Sequence, residues 1–202
     1  EGSVRRERGQ WARNEIRDLS IPQSVKAAIG CRLDRVSPEC NEVLRAAAVL
    51  GKVFEFERLV IAAGDRGEDA LLDALDVAVA AQLIVAERAD AFAFTHDKIR
   101  EVLYEEMNPI RRRRLHLRIA EGLQRLREGA GVPAEVLAHH YIEAGDHASG
   151  LAYAKEAASA AALVFAYDEA IAAYGRALEC AQALDLPGEQ IAIEESIGGT
   201  LL

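Results

Sequence analysis

The residues that could do chemistry in this chain fall into four places: His96 with Asp97, a histidine-rich stretch from His139 to His147, the run Arg111-Arg112-Arg113-Arg114, and the pair Gly51-Lys52. His96 and Asp97 follow Ala91-Phe92-Ala93-Phe94-Thr95, an alternating pattern expected of a half-buried strand. Ile99, Val102 and Leu103 then recur at helical spacing. Thr95 is expected to cap that helix by accepting a bond from a backbone N–H one turn in. His96 and Asp97 would then stand in its first turn, where unpaired N–H groups and the positive dipole end favour an anion. Alone, a histidine in a first turn is more often structural than ligand-binding.

The other candidates carry less. Gly51-Lys52 looks like the end of a phosphate loop, but Val53 stands where a hydroxyl residue is needed, and no G-x-x-x-x-G-K-[ST] occurs. His139, His140, Glu143 and His147 lie within about two helical turns. Adjacent helical histidines diverge and His147 lies beyond a turn, so interhelical packing, not a metal, is the expectation there. The arginine run opens a helix, where the dipole disfavours it. It reads as a solvated face with some pairing to Glu105 or Glu106, or as a docking patch for an acidic surface or a nucleotide phosphate.

The elements that must position these residues are mostly helical. Half the residues are hydrophobic, alanine is abundant and aromatics are 5%, which favours close-packed helices. The net charge is −9, and the segment from Pro133 to Leu202, with two bases against eleven acids, accounts for all of it. Such a tail does not suit a nucleic-acid binder. The three cysteines, Cys31, Cys40 and Cys180, show no zinc spacing and read as buried thiols of a reducing, cytoplasmic compartment. No apolar run reaches membrane length. Met107 is the one methionine, and Leu201-Leu202 lies within an apolar helical pattern, so a piece of a longer protein is expected.

Residues 1–20 read as a linker in which Ile16 and Leu19, with Trp11 further back, hint at a helical face. Ile21-Pro22 marks a boundary. Residues 21–108 then give helices on Val25, Ile29 and Leu33; on Val43, Ala47 and Leu50 after the Ser37-Pro38-Glu39 cap; near 55–63; and over 68–82 with Leu71, Leu72, Leu75 and Val79 inward. Two strands, Leu83–Val85 and Ala91–Phe94, close the segment around a turn near Arg88-Ala89-Asp90. This order predicts a winged helix-turn-helix with a small β-hairpin. Its last helix carries Glu68, Asp69, Asp73 and Asp76, which disfavours phosphate contact and so direct DNA binding.

Residues 109–202 predict stacked helices: one opened by Asn108-Pro109 with Leu115, Ile119, Leu123 and Leu126 inward, then about 134–144, 147–163, 167–184 and 189 onward. Ala170, Tyr174 and Ala177 fit the second helix of a tetratricopeptide repeat, and Ala158 and Ala161 fill the matching first-helix positions. The fold class expected is thus mainly α, a winged helix followed by a tetratricopeptide-like solenoid. Such a solenoid needs neighbours to bury its faces, a route to a homodimer.

Taken in order, Ile21-Pro22, Leu33, Ala46 to Gly51 with Phe54, the Phe94-Thr95-His96-Asp97-x-Ile99-Arg100-Glu101-x-Leu103-Tyr104 motif, Arg114-Leu115-His116 and Leu137-Ala138-His139-His140-Tyr141 resemble the region after the ATPase core in bacterial signalling ATPases of the STAND class. These include LuxR-type transcriptional regulators of the MalT-like kind and cyclase-fused ATPases. The resemblance implies an upstream NTPase domain as partner. ATP or ADP with magnesium would be bound by that parent protein and none by this segment. It further implies an inducer, protein or small molecule, on the repeats, and no catalysis, membrane contact or direct nucleic-acid contact by the segment itself. His96-Asp97 followed by Arg100 also resembles the M-H-D motif of related switch ATPases, whose histidine approaches the β-phosphate of ADP; Thr95 replaces the methionine here. A structural scaffold that binds a protein or peptide is the alternative.

Overall fold

The computed structural model describes residues 5–7, 10–12 and 23–200. The chain is mainly helical, with a small three-stranded antiparallel sheet. Near the start, β1 (Arg5–Glu7) and β2 (Gln10–Ala12) form a short antiparallel ribbon. The helical spacing of Ile16 and Leu19 and the boundary at Ile21-Pro22 lie outside the described residues.

From Gln23 the order is α1 (Gln23–Leu33), α2 (Pro38–Leu50), β3 (Val53–Glu55), α3 (Phe56–Ala63), α4 (Glu68–Ala80), β4 (Ile84–Arg88), β5 (Ala91–Phe94) and α5 (Asp97–Glu105). Ser37 caps α2 as expected: its hydroxyl accepts from the Cys40 N–H at 3.1 Å, with Pro38 at the first position. The expected hairpin is present as antiparallel β4 and β5, and β3 adds a third strand to give the order β3-β5-β4, with β5 central. Three residues are too few to show a period, but Phe54 of β3 is buried against Phe92 and Phe94, with ring centroids 6.0 and 5.8 Å away. The inner face of α4 is Leu71, Ala74, Leu75 and Ala78, while Leu72 and Val79 are exposed. The alanines permit a close approach to α2, whose Cys40 Sγ donates to the Ala74 carbonyl at 3.3 Å.

The second half is α6 (Pro109–Ala130), α7 (Ala134–Ala144), α8 (His147–Leu163), α9 (Tyr167–Ala183) and α10 (Pro187–Thr200). The Asn108 side chain accepts from Ile110 N–H at 2.9 Å and starts α6. Gly145, at φ 83°, ends α7 in the left-handed region, and Asp146 caps α8 through Ser149 N–H at 3.1 Å. Successive helices from α6 to α10 pack on one another.

Two cores result. The larger runs from Ile29 through Leu44, Leu59, Leu75, Phe94 and Ile99 into Ile119, Leu123, Leu137 and Tyr141. The smaller is made of Ala138, Leu151, Ala154, Ala177, Cys180, Ala181 and Ile193. Ala158, Ala170 and Ala177 are fully buried, Ala161 and Tyr174 half-buried. Cys40 and Cys180 are buried thiols as expected, whereas Cys31 is exposed. No described helix is long and apolar enough to cross a membrane.

Candidate functional site

The turn between β5 and α5 is open to solvent. His96 is exposed and is the N-cap residue of α5, with an extended backbone and no side-chain capping bond. Thr95 does not cap the helix. Its hydroxyl donates instead to the carbonyls of Gln82 (2.8 Å) and Leu83 (3.2 Å), and its N–H bonds Leu83 at 3.1 Å. Those bonds tie the start of α5 to the loop before β4. The first-turn N–H groups of α5 are therefore left without a threonine oxygen. Asp97, at the first helical position, pairs with Lys52 at 3.2 Å. Arg100, one turn on, reaches the Ala48 carbonyl at 3.4 Å and is half-buried. Gly51-Lys52, the phosphate-loop-like pair, thus lies beside the His96-Asp97 turn, a closeness that the sequence separation of 45 residues hides. His96, Lys52 and Asp97 offer one cationic edge and one paired carboxylate, too little to enclose a nucleotide.

The arginine run divides. Arg111 pairs not with Glu105 or Glu106 but with Glu42 of α2, at 2.7 and 3.0 Å to its two oxygens. Glu105 is taken by Lys26 at 2.8 Å. Arg112 lies over the Tyr104 ring, 4.7 Å from its centroid. Arg113 and Arg114 are exposed and make no ion pair among the described residues. Arg111 and Arg114 border a cleft of about 310 Å³ with Arg45, Arg66 and Arg118. Among the described residues Glu42 is the one carboxylate lining it, so the cleft is strongly cationic. Arg45 and Arg118 carry no signal in the sequence, and Arg66 stands there only as the lone base beside the acidic residues of α4. Arg45, Arg66 and Arg118 come from α2, the α3–α4 loop and α6, and only folding brings them together.

A third group joins two of the histidines weighed in sequence to a third from another helix. His116 of α6 meets His139 and His140 of α7, with one candidate ligand atom from each, all within 4.8 Å of one another. His147, weighed with them in sequence, is not a member. His116 and His140 are buried and His139 is exposed. The Nδ1 atoms of His116 and His140 are 2.9 Å apart, so one of them bears a proton that the other accepts. The Tyr104 hydroxyl lies 3.0 Å from His116 Nε2 and 3.3 Å from a Glu143 oxygen, to which it donates. Burial, then the neighbouring imidazoles and Arg112, hold the His116 pKa down to about 3. Burial, then His139 and Arg58, hold that of His140 down to about 4. Both rings are therefore neutral at pH 7 with lone pairs available.

No family model, curated protein or solved structure matches this chain.

Proposed function

We propose that the chain is a non-catalytic regulatory region of a STAND-class signalling ATPase, of the kind found in LuxR-type transcriptional regulators. In this reading it couples the nucleotide state of an upstream NTPase domain to signal sensing and self-association. The observation that carries it is the solvent-open turn of His96, with Lys52 and Asp97 beside it at the start of α5. Such a turn presents N–H groups and an imidazole to a neighbour, as a phosphate-facing edge would. Two further features support it. The order α2-β3-α3-α4-β4-β5 with sheet order β3-β5-β4 agrees with a winged helix, and paired helices packed through alanines agree with tetratricopeptide-like repeats. The acidic residues of α4 are exposed, which speaks against DNA on that helix and for protein contacts. The arginine cleft is then a docking surface for an acidic segment of the same protein.

A switch of this kind needs two packings with different affinity for a ligand. The nucleotide itself would be held by the upstream domain. The test is ADP release from the parent protein carrying that domain. His96→Ala and Lys52→Ala should speed release, while Arg113→Ala, exposed on α6 and outside both the turn and the cleft lining, should not. Unchanged release in both turn variants removes the switch role. The chain of 202 residues alone should show no micromolar affinity for ATP or ADP by calorimetry.

A further inference from the structure

We infer that His116, His139 and His140 form a binding site for a divalent transition metal of the zinc type, clamping α6 to α7. The inference is independent of the ATPase reading. Three imidazoles with one open position are a common ligand set for zinc. In a tetrahedral site with Zn–N near 2.0–2.1 Å, ligand nitrogens stand about 3.3 Å apart. The two buried Nδ1 atoms are at 2.9 Å, so a separation of a few tenths of an ångström admits the ion between them. His139 is exposed and free to swing its ring inward to complete the set.

The surroundings favour this use over simple packing. Metal-bound histidines typically donate their second ring N–H to an oxygen that fixes the tautomer. Here the Glu143 carboxylate accepts from the Tyr104 hydroxyl, which leaves the Tyr104 oxygen to accept from His116 Nε2–H. His116 Nδ1 then carries a lone pair directed at His140. On binding, His140 changes tautomer: its Nδ1 proton passes to solvent while Nε2 takes one up, so no net proton is released and both Nδ1 lone pairs face the metal. His139 and His140 also line a cavity of about 330 Å³ together with Leu50, Arg58, Glu135 and Arg176. The fourth metal position would open onto that cavity, leaving room for water or a small anion. Arg58 is tied to Glu55 at 2.9 Å and Arg176 to Glu135 at 3.0 Å, which moderates their repulsion of a cation.

The test is a zinc titration of the chelator-treated full chain against a chromogenic competitor, with cobalt(II) as spectroscopic probe. One zinc per chain at micromolar affinity or tighter is expected, with the visible bands of tetrahedral nitrogen-ligated cobalt. His139→Ala, an exposed change that leaves the fold intact, should weaken zinc at least tenfold. Tyr104→Phe and Glu143→Gln should each weaken it by about 10–100-fold while leaving the stoichiometry at one. His96→Ala with His147→Ala should change nothing. Zinc should also raise the thermal midpoint of the wild type and not that of His139→Ala. The absence of micromolar zinc uptake, or binding by His139→Ala equal to wild type, overturns the assignment, as does loss of binding in the His96/His147 double variant.

Discussion

His96 and the pair His116–His140 are the same side chain in opposite settings. The first stands in water at the mouth of a helix, beside a lysine–aspartate pair. The second pair is sealed between two helices, each ring within bonding distance of the other. An exposed imidazole costs the fold little and can answer to a partner. A buried imidazole is part of the packing and is intolerant of charge, because ionising it in low dielectric is expensive. The contrast separates a group available for signalling from a group that holds the chain together unless a metal claims it.

The sharpest way to break that contrast is acid. For His116 and His140 the folded-state values, about 3 and about 4, lie below the ordinary imidazole value of 6.5. The unfolded chain therefore binds more protons than the native one between those limits, and stability rises with pH across that window. Stability should be fully present above pH 6.5 and fall progressively as pH drops toward 4. For the metal-free chain the loss between pH 7 and pH 5 should be on the order of 2–4 kcal/mol for the two rings together. Urea midpoints at the two pH values measure it. His140→Leu should flatten the profile, and an unflattened one would mean that the buried pair is not the acid-sensitive element.

A second test addresses how α6 is held in place to present His116. Gly122 of α6 lies against α3, where an added Cβ would stand 2.2 Å from Ile61 Cγ2. Ile61 is β-branched and stiff, so it cannot simply turn away. Gly122→Val should therefore cost about 1–3 kcal/mol by overpacking. Chemical denaturation of the variant checks it. If Gly122→Val folded with wild-type stability, α6 would not be clamped at that point, and the histidine geometry would lose its support.

Legibility from sequence followed the range of the interactions involved. Helix starts at Ser37 and Asn108 and the stop at Gly145 were readable because caps act within three residues. Hydropathy puts Leu72 and Val79 on the inner face of α4, because alanine carries little hydropathy signal, yet Ala74 and Ala78 are the buried residues and the Ala74 carbonyl accepts from Cys40 of α2. At the candidate sites, His96 and Asp97 were visible as a local motif, yet the position of Lys52 beside them was not. The histidine cluster was less visible still. A strict antiparallel hairpin about the Gly131–Pro133 turn would set His116 opposite the neighbourhood of His147, roughly eight residues or 12 Å from His140. The helices pack with an offset that cap and period signals do not encode. The stretch His139–His147 marks two of the three histidines in sequence, whereas His116, on the buried face of α6 with Ile119 and Leu123, joins them only through the packing of α6 on α7.

The smallest expected effect falls on the exposed side of the contrast. His96 makes no side-chain capping bond, and its ring lies in solvent. His96→Ala should therefore change the stability of the chain by no more than about 0.5 kcal/mol. The Thr95 hydroxyl, which does hold the turn through Gln82 and Leu83, should matter more: Thr95→Val should cost about 0.5–1.5 kcal/mol. Thermal midpoints of the two variants, measured side by side, order the pair. Were His96→Ala the more damaging of the two, the imidazole would be a structural part of the turn. Its exposure would then say nothing about a partner. With the expected order, the turn is built by threonine and the histidine is left over for contact, the arrangement that a nucleotide-facing neighbour would require.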